Sequence, residues 1–298
     1  MSGIFFVLFV VFAASPAYGQ DDDDFVEVPW LSEVIKVKEK GLKSSGVLFR
    51  YQPQYRLEEE GIRYGTWVQL LFNDLEGMES MDDTYFYTYK VVITNKKTKE
   101  EILNSDWEVV NQGLGLAIED DNEPHNFQIP IFVGFPMYSG TYEWKVIIKN
   151  VGDKKSIEAT VDFDVIPNPH ITVNKENCSY SEVYLEAVEE QRVVNDQTVY
   201  TKDVILWFDN LEGFQKIESS YYVGMEMKIL DAENVPLITL DDYFNENGGK
   251  INPEDALKIS AQYSLSPEVR GQEIILYAKI WDKKGDAWIE AYTSVTLN

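Results

Sequence analysis

Apolar residues recur along most of this chain at every second position. Tyr142, Trp144, Val146 and Ile148 alternate with more polar neighbours, and Ile157, Ala159, Val161, Phe163 and Val165 do so again. Ile274, Leu276, Ala278 and Ile280 repeat the pattern further on. That alternation sends one set of side chains to a buried face of a pleated strand and the other set to solvent. The stretch TYFYTYKVVIT at 84–94 adds aromatic and β-branched residues, which suit a half-buried pleated surface. Turn formers separate the runs at Gly77, Asn95-Lys96-Lys97, Asn150-Val151-Gly152-Asp153 and Lys283-Lys284-Gly285-Asp286. Strands are predicted in the first half at 34–38, 46–52, 66–73, 84–94, 126–133, 141–149 and 157–165. No long helical period is present, and only Pro253–Lys258 suits a helical turn.

The pattern is duplicated. FNDLEG at 72–77 returns as FDNLEG at 208–213, 136 positions later. At the same offset Ile35 and Val37 meet Ile171 and Val173, and Val68, Leu70 and Phe72 meet Val204, Leu206 and Phe208. Ile93 likewise meets Ile229, and Ile102 meets Ile238. Beyond Trp107 the offset falls to 132, so that Ile157-Glu158-Ala159 aligns with Ile289-Glu290-Ala291. Two copies at so long a period mean two domains rather than a solenoid. The expected fold class is all-β: two tandem antiparallel β-sandwich domains of about seven strands each. The first occupies 34–165 and the second 170–298, with a short linker at 166–169 that carries Pro167 and Pro169.

Within the duplicated phrase, Leu75 and Leu211 are expected to tuck under the rim of each domain. Gly77 and Gly213 would supply a backbone conformation that side chains resist, and the Asn-Asp pair would hydrogen-bond to the local backbone. The strand count and spacing resemble immunoglobulin-like and fibronectin type III modules. The likeness is one of pattern, because the paired cysteines of antibody-type domains are missing: Cys178 is the only cysteine. Trp67, Trp144 and Trp207 are candidates to fill the cores.

The first twenty residues differ from the rest. Ile4 to Ala14 is an unbroken apolar run, followed by Ala17-Tyr18-Gly19. It reads as a secretory signal peptide over 1–19, cleaved after Gly19 and leaving no transmembrane span. An acidic N-terminal segment follows at 20–33. Secreted, periplasmic or envelope-associated localisation is the expectation. The formal net charge of −25 disfavours nucleic acid and anionic surfaces as partners.

The chain is poor in motifs for chemistry. His125 and His170 are its two histidines, and neither has a zinc-ligand spacing or a nucleophile context. Asp106 and Asp242, like Glu76 and Glu212, recur because the fold recurs. No catalytic residues and no cofactor are assigned, so the chain is read as a non-enzyme. Calcium is the one metal with candidates: Asp120, Asp121 and Glu123 in a loop-borne cluster. The stretch DDYFNENGGKINPED at 241–255 fails the calcium-loop pattern at its first ligand in both registers.

The function expected is binding or scaffolding of a protein partner through loops or sheet edges. One alternative is a carbohydrate-binding or calcium-dependent adhesion module, for which an exposed aromatic row is the discriminating feature. A second is a carboxylate-based hydrolase.

Overall fold

The structure is a computed structural model. It describes residues 25–52, 61–78, 80–81, 84–109, 116–117, 125–152 and 154–298. The expected signal segment, 1–19, and the calcium candidates Asp120, Asp121 and Glu123 lie outside them. The chain is all-β, with short helices such as Pro29–Ser32 and Pro253–Ala256, the latter within the helical turn expected from sequence. Among the described residues, no helix is long and apolar enough to cross a membrane.

Two compact units are formed. One comprises Met1–Ile62 and Thr66–Val165, and the other comprises Arg63–Gly65 and Ile166–Asn298. In the first, the principal strands are β1 (Lys36–Lys40), β2 (Gly46–Tyr51), β3 (Thr66–Asn73), β4 (Tyr87–Asn95), β5 (Glu101–Asn104), β6 (Phe127–Val133), β7 (Gly140–Asn150) and β8 (Ser156–Ile166). In the second they are β9 (Thr172–Glu176), β10 (Glu182–Ala187), β11 (Asp203–Asp209), β12 (Tyr221–Asp231), β13 (Pro236–Leu240), β14 (Lys258–Ser264), β15 (Glu273–Asp282) and β16 (Trp288–Leu297).

In the first unit one sheet runs β2-β3-β6 and the other β4-β7-β8-β1, with β5 on the free side of β4. In the second, β10-β11-β14 and β9-β16-β15-β12-β13 repeat the arrangement. The two sheets of each unit enclose one core, as a sandwich would. In the first, Phe49 of β2 meets Trp144 of β7 edge-on at 5.9 Å and Phe163 of β8 at 6.1 Å. In the second, Leu185, Leu206 and Ala261 from one sheet join Met225, Leu276 and Ile289 from the other. Burying each of the larger aliphatic and Phe side chains here contributes about 1.5–3 kcal/mol.

Of the candidate core tryptophans, only Trp144 is fully buried. Trp67 and Trp207 sit half-buried, in register with the polar-side residues of β3 and β11. The strands themselves carry the reason. In β11, Val204, Leu206 and Phe208 take the core face, which leaves Trp207 on the other. Tyr87 and Tyr89 are core residues rather than an exposed stripe. Pro130 is accommodated because β6 is an edge strand, where a missing N–H costs no ladder bond.

The ladder registers are compatible with the offset in the core strands. Val47 pairs with Phe72 as Val183 pairs with Phe208, and Lys149 pairs with Thr88 as Trp281 pairs with Gly224. The edge hairpin is the exception. Ile93 faces Leu103, whereas Ile229 faces Ile238, so Leu103 and not Ile102 takes the place of Ile238. Both ladders carry a bulge, after Ile93 and after Ile229. A bulge lets one copy slip by a residue without disturbing the core strand.

Candidate functional site

The duplicated phrase is a structural corner. Leu75 and Leu211 are buried, each 6% exposed. Lys43 and Glu76 exchange backbone hydrogen bonds of 3.1 and 2.9 Å, and Ser179 and Glu212 exchange bonds of 3.0 and 2.9 Å. Asp74 and Asn210 occupy the left-handed region, at φ 48° and 52°, which Asn and Asp tolerate better than most residues. Their side chains also reach serines across the corner. The Ser45 hydroxyl donates to Asp74 at 2.6 Å, and Asn210 donates to Ser181 at 3.2 Å. The expected roles of Gly77 and Gly213 hold, at φ 84° and 98°.

Because each copy solves the same folding problem, features carried by only one copy are not demanded by the fold. Two such features lie in the second unit. The first is β13, the terminal strand of its sheet, with all five residues exposed. Val235, Leu237, Ile238 and Leu240 are 52%, 49%, 55% and 44% exposed. Its counterpart β5 exposes Glu101 and Asn104 and half-buries Ile102 and Leu103. The first hairpin carries Lys96, Lys97 and Lys99, while residues 231–246 contain five carboxylates and no Lys or Arg.

The second feature is a shallow cleft of about 440 Å³ whose lining includes Trp281, Trp288, Lys279, Glu226, Asp241 and Asp286. Trp281 and Trp288 are cross-strand partners on the outer face of the sheet, where the first unit has Lys149 and Ser156. The Trp281 ring lies against Gly224: a β-carbon there would sit 2.2 Å from ring atoms Cε2 and Cζ2. The Trp288 indole N–H donates to Glu176 at 2.9 Å, and Lys279 Nζ stands 4.7 Å over its ring. Glu226 pairs with Lys228 at 2.8 Å. Asp282, also in the lining, is committed to backbone N–H groups of Gln215 and Lys284, at 2.5 and 2.8 Å. Asp241 and Asp286 are exposed.

The other titratable candidates are structural. His125 contacts Tyr85 and Tyr87, with ring centroids at 5.0 and 6.1 Å, and its Nε2 is buried without a partner. Burial pushes its pKa below the ordinary histidine value. The native imidazole therefore resists protonation that the unfolded chain accepts. Stability should fall as pH drops below about 6.5, and His125→Phe should remove that component. Thermal melts of both proteins between pH 7.5 and 5 check this; parallel curves would contradict it.

Cys178 is half-buried, its thiol donating to the Trp288 carbonyl at 3.1 Å, and burial raises its pKa. In the 241–255 stretch Asp242 is paired with Lys283 at 2.6 Å and accepts from Met225 N–H at 3.3 Å. Among the described residues, no three His, Cys, Asp or Glu side chains are grouped to hold a metal ion. The sequence reading missed both second-unit features. Comparing the copies for differences, rather than matches, was the available signal.

No family model matches the chain, and no curated protein does. Among solved structures, pT26-6p is similar at 9% identity with a TM-score of 0.27, covering 94% of this chain and 73% of its own. A putative beta-galactosidase from Bacteroides fragilis is similar at 8% identity with a TM-score of 0.26, covering 88% of this chain and 41% of its own. At these TM-scores neither likeness bears on fold or function.

Proposed function

We propose that this is a non-catalytic, secreted or envelope-associated protein of two immunoglobulin-like modules, which binds a partner protein by strand addition at β13. The observation that carries the reading is the edge of Pro236–Leu240, apolar and exposed where the matching strand of the first copy exposes only Glu101 and Asn104 and half-buries Ile102 and Leu103. Long apolar edges invite pairing with foreign strands, and natural proteins ordinarily blunt them with charge. Here the blunting charges are moved to the ends of the strand, at Glu233 and Asp241. The occupant that fits is an extended apolar segment flanked by Lys or Arg. Backbone hydrogen bonds supply affinity, the apolar positions supply burial, and the carboxylates supply orientation.

The test uses two synthetic peptides with the same alternating apolar core, one flanked by lysines and one by glutamates. The lysine peptide should bind and protect the amides of 237–240 from hydrogen exchange, more weakly as salt rises. Ile238→Lys, at an exposed position, should weaken binding at least tenfold. Equal binding of both peptides, or protection elsewhere, would overturn the reading. So would concentration-dependent dimers that bury β13, because they assign the edge to a second copy.

A further inference from the structure

We infer that the Trp281 cleft is a carbohydrate site that takes a neutral hexopyranosyl chain, separate from the partner-binding edge. The argument begins with the sheet. Gly224 stands where the first copy has Thr88, and Trp281 where it has Lys149, at the same rung of the ladder. A glycine inside a strand weakens it unless something must approach the backbone closely. Here the indole does so: with no β-carbon at 224, ring atoms Cε2 and Cζ2 of Trp281 occupy the space that one would need. The ring is thereby packed against the backbone of β12. No fold requirement explains the pair, because the first copy builds the same strands without it.

An indole backed by the sheet and lining a cleft offers a π surface to the C–H groups of a pyranose ring. What surrounds it decides which ligand fits. Asp286 supplies a hydrogen-bond acceptor, and Lys279 supplies a donor. Sugar hydroxyls both donate and accept, so a mixed rim suits them. Lys279 stands over the Trp288 ring and already occupies the place a cationic group would take there. An acidic sugar is disfavoured by the carboxylates. The shallow shape suits a chain lying along the sheet rather than an enclosed monosaccharide.

The test is titration of the full mature chain with cellotetraose, mannotetraose, chitotetraose and, as acidic contrast, trigalacturonate, followed by calorimetry and tryptophan fluorescence. At least one neutral tetrasaccharide should bind, quench Trp281 emission, and exceed trigalacturonate by tenfold or more. Trp281→Ala should lose binding at least tenfold. Asp286→Asn, at an exposed position that leaves the strands intact, should weaken binding several-fold. Ile238→Lys should leave it unchanged, which separates this site from the edge. No binding by any neutral tetrasaccharide overturns the inference, as does binding that survives both Trp281→Ala and Asp286→Asn.

Discussion

Replacing Asp209 by Asn should stabilise the second unit near neutral pH. Asp209 ends β11, is 2% exposed, and has both carboxylate oxygens buried without a hydrogen-bond partner. Its nearest cation, Lys258, stands at 3.8 Å. That separation gives an ion pair too long to offset removal from water, and desolvation pushes the carboxyl up from 3.8 to about 6. Between those values the native state keeps a proton that the unfolded chain has released. Stability is therefore lost as pH rises from about 4 to 6 and stays reduced above it. A shift of roughly two units corresponds to at most about 3 kcal/mol. Asparagine is itself a buried polar group, so the expected gain at pH 8 is about 1–2 kcal/mol. Melts across pH 4–8 should show the variant and the parent converging at the acid end and separating above pH 6. Coincident midpoints at pH 8 would show that the carboxylate is better solvated than its surroundings indicate. The first copy has Asn73 at the matching position, so the substitution restores what the other unit already uses.

Gly77→Ala and Gly213→Ala should each destabilise their own unit by about 2–4 kcal/mol. The left-handed backbone alone costs a side chain about 1–2 kcal/mol. Steric overlap adds to it: a β-carbon at 77 would lie 2.3 Å from the Gly41 carbonyl oxygen, and one at 213 would lie 2.4 Å from that of Asn177. Relief requires moving the segments 41–43 and 177–179, at the expense of the paired backbone bonds that Lys43 and Ser179 make to Glu76 and Glu212. Gly46→Ala is the control, since nothing lies within 4 Å of its β-carbon position. It should be neutral or slightly stabilising. Denaturant unfolding of the three variants checks the ordering. If Gly77→Ala and Gly213→Ala matched Gly46→Ala, the corner would be a passive turn.

The corner also shows what could be read from residues alone. Alternation at every second position places β7 and β8 within one residue of their observed ends, because a buried face constrains every other side chain. Duplication of the phrase located the glycines, because only a repeated backbone requirement preserves glycine at one offset. The serine partners of Asp74 and Asn210 were not legible, since they lie 29 residues away in sequence and only strand pairing brings them close.

The candidate sites were less accessible still. Nothing in PLITL distinguishes an exposed edge strand from a buried one; its place at the end of the sheet does. Nor does Gly224 announce Trp281, 57 positions away, until the ladder sets them opposite each other. By itself the sequence determined an all-β chain with two matched strand sets and strongly acidic charge, because these follow from local periodicity and composition. Tertiary structure alone decided which tryptophan is core, which carboxylate is stranded in the interior, and which edge stays open. Those depend on what other strands cover, a long-range property that no local pattern encodes.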